Sequence, residues 1–195
     1  SRIIFGAEYR KKNGEVRMVA YNGLILLEVG NLSGYTEAVD VRRKAAGSLQ
    51  TLLAFIGSSR KSVKIVVPFT LPDGSLPCNS ELAEWFHAHA YQLALNYYQM
   101  QLQREITYKQ PDVQQSCRLS YDPDLYFNPA AVPATLEQPL QMPGELTFRE
   151  MKQQEPLPLE RMEAGNERSY SVYLLYQVAL KKAIEENNNV IRSDS

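Results

Sequence analysis

The sequence predicts an α+β fold, because runs of strand length and stretches of helical periodicity alternate along its 195 residues. Three short apolar runs lie at 24–29, 49–56 and 63–69, and two segments with apolar residues at helical spacing lie at 36–46 and 80–104. Hydrophobic residues make up 44% of the chain and charged residues 22%, which is typical of a domain that buries a core. This composition excludes a disordered or fibrous protein.

The chain opens with a predicted β-hairpin. Residues 3–9 and 16–21 are rich in strand-forming side chains, and the Lys-Lys-Asn-Gly segment between them is typical of a tight turn. The next run, at 24–29, is apolar except for Glu28 and is followed by Gly30. This pattern indicates a strand that is buried on both faces, so we expect it at the centre of a sheet.

A helix and a second hairpin follow. Residues 36–46 predict a helix, because Ala38, Val39, Val41 and Ala45 give it a partial apolar face. The apolar runs 49–56 and 63–69 are joined by the polar stretch Gly-Ser-Ser-Arg-Lys-Ser, which suits a tight connection. We expect these two strands to pair with each other.

A long helix is predicted from Asn79 or Ser80 to Arg104, since either side chain at its start can cap the first turn. Its predicted core stripe consists of Leu82, Trp85, Phe86, Ala90, Leu93, Tyr97 and Met100. A short strand at 117–119 follows. The order strand, helix, strand, strand, helix, strand is that of the split βαβ core of ferredoxin-like and RRM-like domains, here preceded by a hairpin. Such a core places its first and third strands side by side in an antiparallel sheet, with both helices on one face.

The distribution of proline predicts the domain organisation. Seven of the 11 prolines fall between 123 and 158. We interpret 1–130 as the α+β domain, 131–166 as a Pro-rich arm or linker, and 167–195 as a C-terminal helix with a frayed polar end, as in a fragment of a longer protein. The Pro-rich stretch after Tyr121 is expected to cross the surface without regular structure. The helix is predicted over 167–186, where tyrosine and leucine side chains recur at helical spacing.

The charge of the chain is uneven, although its net value is −1. Residues 1–120 hold 14 Lys and Arg against 10 Asp and Glu, whereas 121–195 hold 7 against 12. The basic front part favours an anionic partner, because Lys and Arg supply phosphate contacts. No apolar run approaches the roughly 20 residues of a membrane span, and a signal-peptide layout is missing, so we expect a cytoplasmic protein without a membrane partner. The two cysteines, Cys78 and Cys117, are too few for a disulfide framework or a zinc cluster.

Three segments of the chain carry a family resemblance. Residues 21–32, YNGLILLEVGNL, show a glycine, an apolar run and the start of an acid-x-acid motif. Residues 52–59, LLAFIGSS, form a small-residue turn, and Lys64 lies in the strand that follows. Residues 119–129 read LSYDPDLYFNP. In this order the segments resemble the VirE N-terminal domain family, which is related to archaeo-eukaryotic primases and primase-polymerases.

The resemblance implies a primase-polymerase-like domain of a mobile-element replication or mobilisation protein, which binds single-stranded nucleic acid or nucleotide on the open face of its sheet. It implies a catalytic and metal-binding role for Glu28, a metal-binding role for Asp122, and phosphate contacts for Arg60, Lys61 and Lys64. The implied partner is a helicase-like region in the full-length protein.

The sequence departs from the family pattern at the first acidic motif. Glu28 occupies the first acidic position, but Gly30 occupies the second and has no side chain to bind a metal. Polymerases of this kind hold two metal ions with carboxylates, so Glu28 alone predicts weak binding of Mg²⁺ or Mn²⁺ and a degenerate catalytic centre. A non-catalytic protein-interaction module on the same fold is the competing hypothesis. Solvated roles for Glu28, Arg60 and Lys61, and a turn role for Asp122, also stay open.

His87-Ala88-His89 is similar to the His-apolar-His metal pair of rolling-circle nucleases, with Tyr97 and Tyr98 as nominal nucleophiles. Side chains two residues apart on a helix diverge by about 200°, whereas that motif needs both histidines on one side of a strand. We therefore do not expect a nuclease.

Overall fold

The computed structural model describes residues 2–136, which form nine strands and two helices. The strands are β1 (Arg2–Ile4), β2 (Ala7–Lys12), β3 (Glu15–Tyr21), β4 (Leu24–Val29), β5 (Leu53–Ile56), β6 (Val63–Thr70), β7 (Ser116–Arg118), β8 (Tyr126–Phe127) and β9 (Ala134–Thr135). The helices are α1 (Tyr35–Ala46) and α2 (Ser80–Leu102). The predicted α+β class is confirmed. The predicted helix at 167–186 and most of the predicted arm at 131–166 lie outside the described residues.

The main sheet has the strand order β4-β6-β5-β8, and all three of these pairings are antiparallel. The predicted pairing of β4 with β6 is confirmed, and it places Glu28 opposite Lys64. The expected central position of β4 is wrong, because β6 is central and β4 pairs only with β6 among residues 2–136. The reason is that β7, which would flank β4 in the predicted core, pairs with β1 instead.

The predicted first strand at 3–9 is divided in two at Gly6. The Gly6 carbonyl accepts a hydrogen bond from the Asn22 amide at 2.8 Å, and a Cβ at Gly6 would lie 2.7 Å from the Val113 carbonyl oxygen. Only a glycine permits this approach, and the chain turns there. β2 and β3 form the predicted hairpin, whereas β1 joins β7 in a separate two-stranded ribbon. The predicted strand at 117–119 therefore exists, at Ser116–Arg118, but outside the main sheet.

The main sheet has two faces because side chains alternate along its strands. On the helix face, the side chains of Ile25, Leu27 and Ile65 pack in one core cluster with α1 and α2, as predicted. On the opposite face, Leu26 and Phe55 pack in a second apolar cluster that also contains side chains of the ribbon and of β8. This second face is thus partly covered by the β1–β7 ribbon, and the expectation of an open face is wrong for that part.

The core stripe of α2 differs from the predicted one in its second half. Asn79 caps the helix as predicted, since its Oδ1 accepts a hydrogen bond from the Leu82 amide at 2.8 Å. Three residues that were assigned to the core are exposed, namely Leu93, Tyr97 and Met100. The buried residues at this end are Ala94, Leu95, Tyr98 and Leu102. The Tyr98 hydroxyl lies 2.6 Å from Thr51 Oγ1, so a tertiary hydrogen bond accompanies the burial of the helix face that carries Tyr98.

The described part of the Pro-rich stretch contains regular structure, contrary to the prediction. β8 extends the main sheet beside β5, and β9 pairs in parallel with the end of β6. Both short strands pair with main-chain groups that the other strands leave free, β8 along the outer side of β5 and β9 at the end of β6. Within the described range, neither helix combines the length and apolarity that a membrane crossing requires.

Candidate functional site

A cleft of about 390 Å³ lies where the second face of the sheet becomes polar. It is bounded by β4, β6, the β5–β6 loop at 57–62, β7 and the segment before β7. Its lining holds one acidic and four basic side chains, which are Glu28, Arg2, Lys64, Lys109 and Arg118. Positive charge therefore exceeds negative charge in the cleft.

Glu28 and Lys64 point into this cleft from neighbouring strands. The Lys64 Nζ lies 2.5 Å from Glu28 Oε2, and the Lys109 Nζ donates a hydrogen bond to the same oxygen at 2.6 Å. Exposed fractions of the three side chains are 25% for Glu28, 13% for Lys64 and 47% for Lys109, so the cluster lies at the boundary between protein and solvent.

The two lysines decide the protonation state of Glu28. Partial burial opposes ionisation of the carboxyl, but the hydrogen bonds and charges of Lys109 and Lys64 outweigh it and lower the pKa of Glu28 below its usual 4.5. Glu28 is therefore an anion at neutral pH. The sequence identified Glu28 and Lys64 from the resemblance, and the structure brings them together.

Sequence reasoning missed three basic residues of the cleft, Arg2, Lys109 and Arg118, and Lys109 is the one that contacts Glu28. It lies between α2 and β7, in a segment without regular structure, and its amide donates a hydrogen bond to the Tyr91 hydroxyl of α2 at 3.0 Å. The neighbouring Tyr108 ring packs edge-on against Tyr91, with centroids 5.6 Å apart. These contacts anchor the main chain beside the cleft. No periodicity or motif in the sequence indicates this placement.

Arg2 and Arg118 form a second basic pair at the rim of the cleft. They are direct cross-strand partners in the β1–β7 ribbon, and both are exposed. Like charges that face each other across two strands destabilise the pairing unless an anion lies near them. Arg2 and Arg118 of the ribbon therefore attract anions to the cleft in addition to Lys64 and Lys109.

The β5–β6 loop contributes hydroxyl groups to the cleft, from Ser58, Ser59 and Ser62. The loop is tight, because the Gly57 amide bonds the Ser62 carbonyl at 2.8 Å and a Cβ at Gly57 would lie 2.3 Å from Ser62 Oγ. The predicted phosphate contacts Arg60 and Lys61 lie on the outer part of this loop and do not line the cleft. Arg60 has a φ of 58° and lies over the Tyr35 ring, 5.4 Å from its centroid.

Asp122 lies at β5, two strands away from Glu28 on β4. Its buried carboxylate forms an ion pair with Arg42 of α1 and accepts a hydrogen bond from the Ile56 amide at 2.8 Å, at the outer edge of β5. β4 and β5 are separated by β6, so this edge lies roughly 10 Å from the main chain of Glu28 at the usual strand spacing. The structure does not bring Asp122 beside Glu28, as a shared metal ion would require.

The described residues contain no group of three or more His, Cys, Asp and Glu side chains that could hold a metal ion. Gly30 follows the end of β4 and has open space around it, since a Cβ there would have no neighbour within 4 Å. A metal role for Glu28 stays a prediction. Burial raises the pKa of the Cys117 thiol to about 11, so this cleft residue is protonated at neutral pH and is a poor nucleophile.

The two histidines of α2 have different surroundings. His87 is buried, with its Nδ1 2.9 Å from the Tyr21 hydroxyl, and burial lowers its pKa to about 4. His89 stacks on Trp85, with ring centroids 5.8 Å apart. The pair diverges as expected for helical spacing, and neither ring lines the cleft.

The fold and the cleft define the chain as an α+β domain with a basic cleft on one face of an antiparallel sheet. It belongs to the family described as BT4734-like, N-terminal domain, whose model matches residues 1–127. This family is related to the VirE N-terminal and primase-like domains that the three sequence segments resemble. Comparison of the chain with curated proteins and with solved structures finds no match in either.

Proposed function

We propose that this chain is a diverged primase-polymerase-like domain of a mobile-element replication or mobilisation protein. It binds phosphate groups of single-stranded nucleic acid or nucleotide in its basic cleft, without polymerase chemistry. The observation that carries the proposal is the convergence of Lys64 and Lys109 on one point of a cleft whose rim holds Arg2 and Arg118. Such clusters supply charge-assisted hydrogen bonds to phosphate oxygens.

The composition of the cleft supports binding without catalysis. Two-metal phosphoryl transfer needs several fixed carboxylates, and Glu28 is the single carboxylate among the cleft residues. Gly30 stands where the family motif has its second acid, and Asp122 is engaged by Arg42 elsewhere. The purified domain is expected to show no template-dependent primer synthesis or extension with Mg²⁺ or Mn²⁺. Robust extension that Glu28→Ala abolishes would contradict this half of the proposal.

Binding is tested by fluorescence anisotropy with a labelled single-stranded oligonucleotide. We expect saturable binding at about 50 mM salt that weakens steeply by about 200 mM, since phosphate contacts release counterions. The double variant Lys64→Gln, Lys109→Gln should bind more weakly, whereas Lys44→Gln, an exposed lysine of α1 that pairs with Asp40, should bind as the wild type does. A flat signal at low salt would refute nucleic-acid binding.

A protein-interaction module on the same fold is the second candidate. The exposed side chains of Leu93, Tyr97 and Met100 favour it, because they form one stripe along α2. This stripe is separate from the cleft residues. Under this alternative the domain fails to bind the oligonucleotide, and substitution of Met100 by Glu disrupts association with a partner protein; under the first proposal the same substitution leaves oligonucleotide affinity unchanged.

A further inference from the structure

The Glu28 carboxylate lies between two lysine side chains of the basic cleft. Both ammonium groups, from Lys64 and Lys109, contact the same oxygen atom, Oε2, at 2.5 and 2.6 Å. Lys64 is fixed on the central strand β6, and Lys109 reaches in from the anchored segment before β7. One anionic oxygen with two ammonium donors is also the arrangement that a bound phosphate oxygen takes.

A ligand phosphate and Glu28 cannot occupy this position together. Two anions between the same lysines would repel each other, so the ligand binds there only when Glu28 leaves. The Glu28 side chain is able to move away from the lysines, because it lies on β4, at the edge of the described part of the sheet, and is 25% exposed to solvent.

We infer that Glu28 is an internal substitute for a ligand phosphate, which the ligand displaces from Lys64 and Lys109 when it binds. The inference rests on the proposed function, because it assigns the order of events at the same cleft. It gives Glu28 a regulatory role: in the unliganded protein the carboxylate occupies both lysines and offsets one of their two positive charges, and it selects ligands with enough negative charge to replace it. Ligands with adjacent phosphates, such as a pyrophosphate group, meet this requirement better than a single phosphodiester.

Isothermal titration with inorganic pyrophosphate in EDTA tests the inference on the whole chain. Glu28→Gln is expected to raise the affinity by about fivefold, because binding no longer breaks two partly exposed ion pairs that together contribute at most about 1 kcal/mol. Glu15→Gln is the matched control, since it removes the same charge from an exposed pair with Arg17 in the β2–β3 hairpin. Glu28→Asp, which keeps the charge but shortens the side chain, should give a smaller rise and serves if the Gln variant does not fold.

The outcomes separate this inference from the proposed function. If both Glu28 variants bind pyrophosphate no better than Glu15→Gln does, the displacement idea is wrong, while loss of binding in Lys64→Gln and Lys109→Gln still supports a phosphate cleft. If binding is absent in EDTA but appears in a parallel titration with Mn²⁺ and disappears there in Glu28→Gln, Glu28 is a metal ligand and the inference fails. If no variant binds pyrophosphate or the oligonucleotide, both proposals fail. About fivefold tighter binding in Glu28→Gln, a smaller rise in Glu28→Asp and no change in Glu15→Gln support displacement.

Discussion

Two ionic clusters of this domain use the same chemical groups in different surroundings. At the outer edge of β5, Asp122 and Arg42 form an ion pair in which the side chains are 2% and 10% exposed. In the cleft, the carboxylate of Glu28 is 25% exposed and the ammonium of Lys109 belongs to a side chain that is 47% exposed. Both carboxylates are acceptors for basic groups, but water reaches only the second cluster readily.

The difference in burial separates a structural contact from an exchangeable one. Asp122 also accepts hydrogen bonds from the main-chain amides of Ile56 and Asp124, so it ties α1, β5 and the start of the Pro-rich stretch together. Removal of either partner from such a pair leaves a buried charge without compensation. The cleft cluster can exchange one anion for another because solvent and ligands reach it. Burial, more than residue type, therefore indicates which carboxylate is available for function.

The largest expected effect is on the buried pair. Asp122→Ala should lower the free energy of unfolding by about 3–5 kcal/mol, because it leaves the Arg42 guanidinium buried without its counterion. Asp124→Ala is the control: that carboxylate is 72% exposed and 4.0 Å from Arg42, so its loss should cost no more than about 0.5 kcal/mol. Urea denaturation of both variants measures the difference. Equal stability of the two variants would show that the buried Asp122–Arg42 pair is not a structural contact.

The second prediction concerns the lysines of the cleft. Lys109→Gln should weaken binding of a single-stranded oligonucleotide on the order of tenfold and should reduce the slope of log affinity against log salt by about one. The fold should be unaffected, since the Lys109 side chain is 47% exposed. Anisotropy titrations over a salt series provide the measurement. A variant with the wild-type slope would show that Lys109 makes no phosphate contact.

A smaller effect is expected in the pH dependence of stability. The folded-state pKa of Glu28 lies below its ordinary value of 4.5, so its ion pairs stabilise the protein above pH 4.5. This contribution is lost as the pH falls through the lowered pKa, and it should be at most about 1 kcal/mol because the cluster is partly exposed. Wild-type protein and Glu28→Gln should therefore differ in urea midpoint at pH 7 and converge in acid. A constant difference at all pH values would argue against the ion pairs.

The smallest effect on stability is expected at Gly30. Gly30→Asp should change the free energy of unfolding by no more than about 0.5 kcal/mol, because a Cβ there meets no atom within 4 Å. The new carboxylate restores the acid-x-acid pair of the family motif, so Mn²⁺ binding should become measurable by titration calorimetry. Gly34→Asp, also in open space, is the control. Equal Mn²⁺ affinity in both variants would mean that the cleft cannot hold a metal.

The sequence alone determined the elements and their class. Hydrophobic periodicity placed β4, β6, α1 and α2 within a few residues of their observed bounds, and the predicted start of α2 at Asn79 or Ser80 includes the observed cap, Asn79. These features are local, because strand alternation, helical spacing and capping depend on neighbours in the chain. The family resemblance likewise came from three short segments, and it drew attention to Glu28, Lys64 and Gly30.

Only the tertiary structure decided which of these elements and charges meet. β7 pairs with β1 rather than with β4, because the chain turns at Gly6 and brings residues 2–4 beside 116–118, and nothing local encodes that partnership. The same holds for Lys109, which contacts Glu28 although the two residues are 81 positions apart in the sequence. It also holds for Asp122: the sequence indicated a residue of a turn, whereas the fold shows a buried ion pair with Arg42. Local forces act on neighbours in the chain, whereas a site consists of neighbours in space, so the cleft appears only when the sheet, the ribbon and the anchored segment pack together.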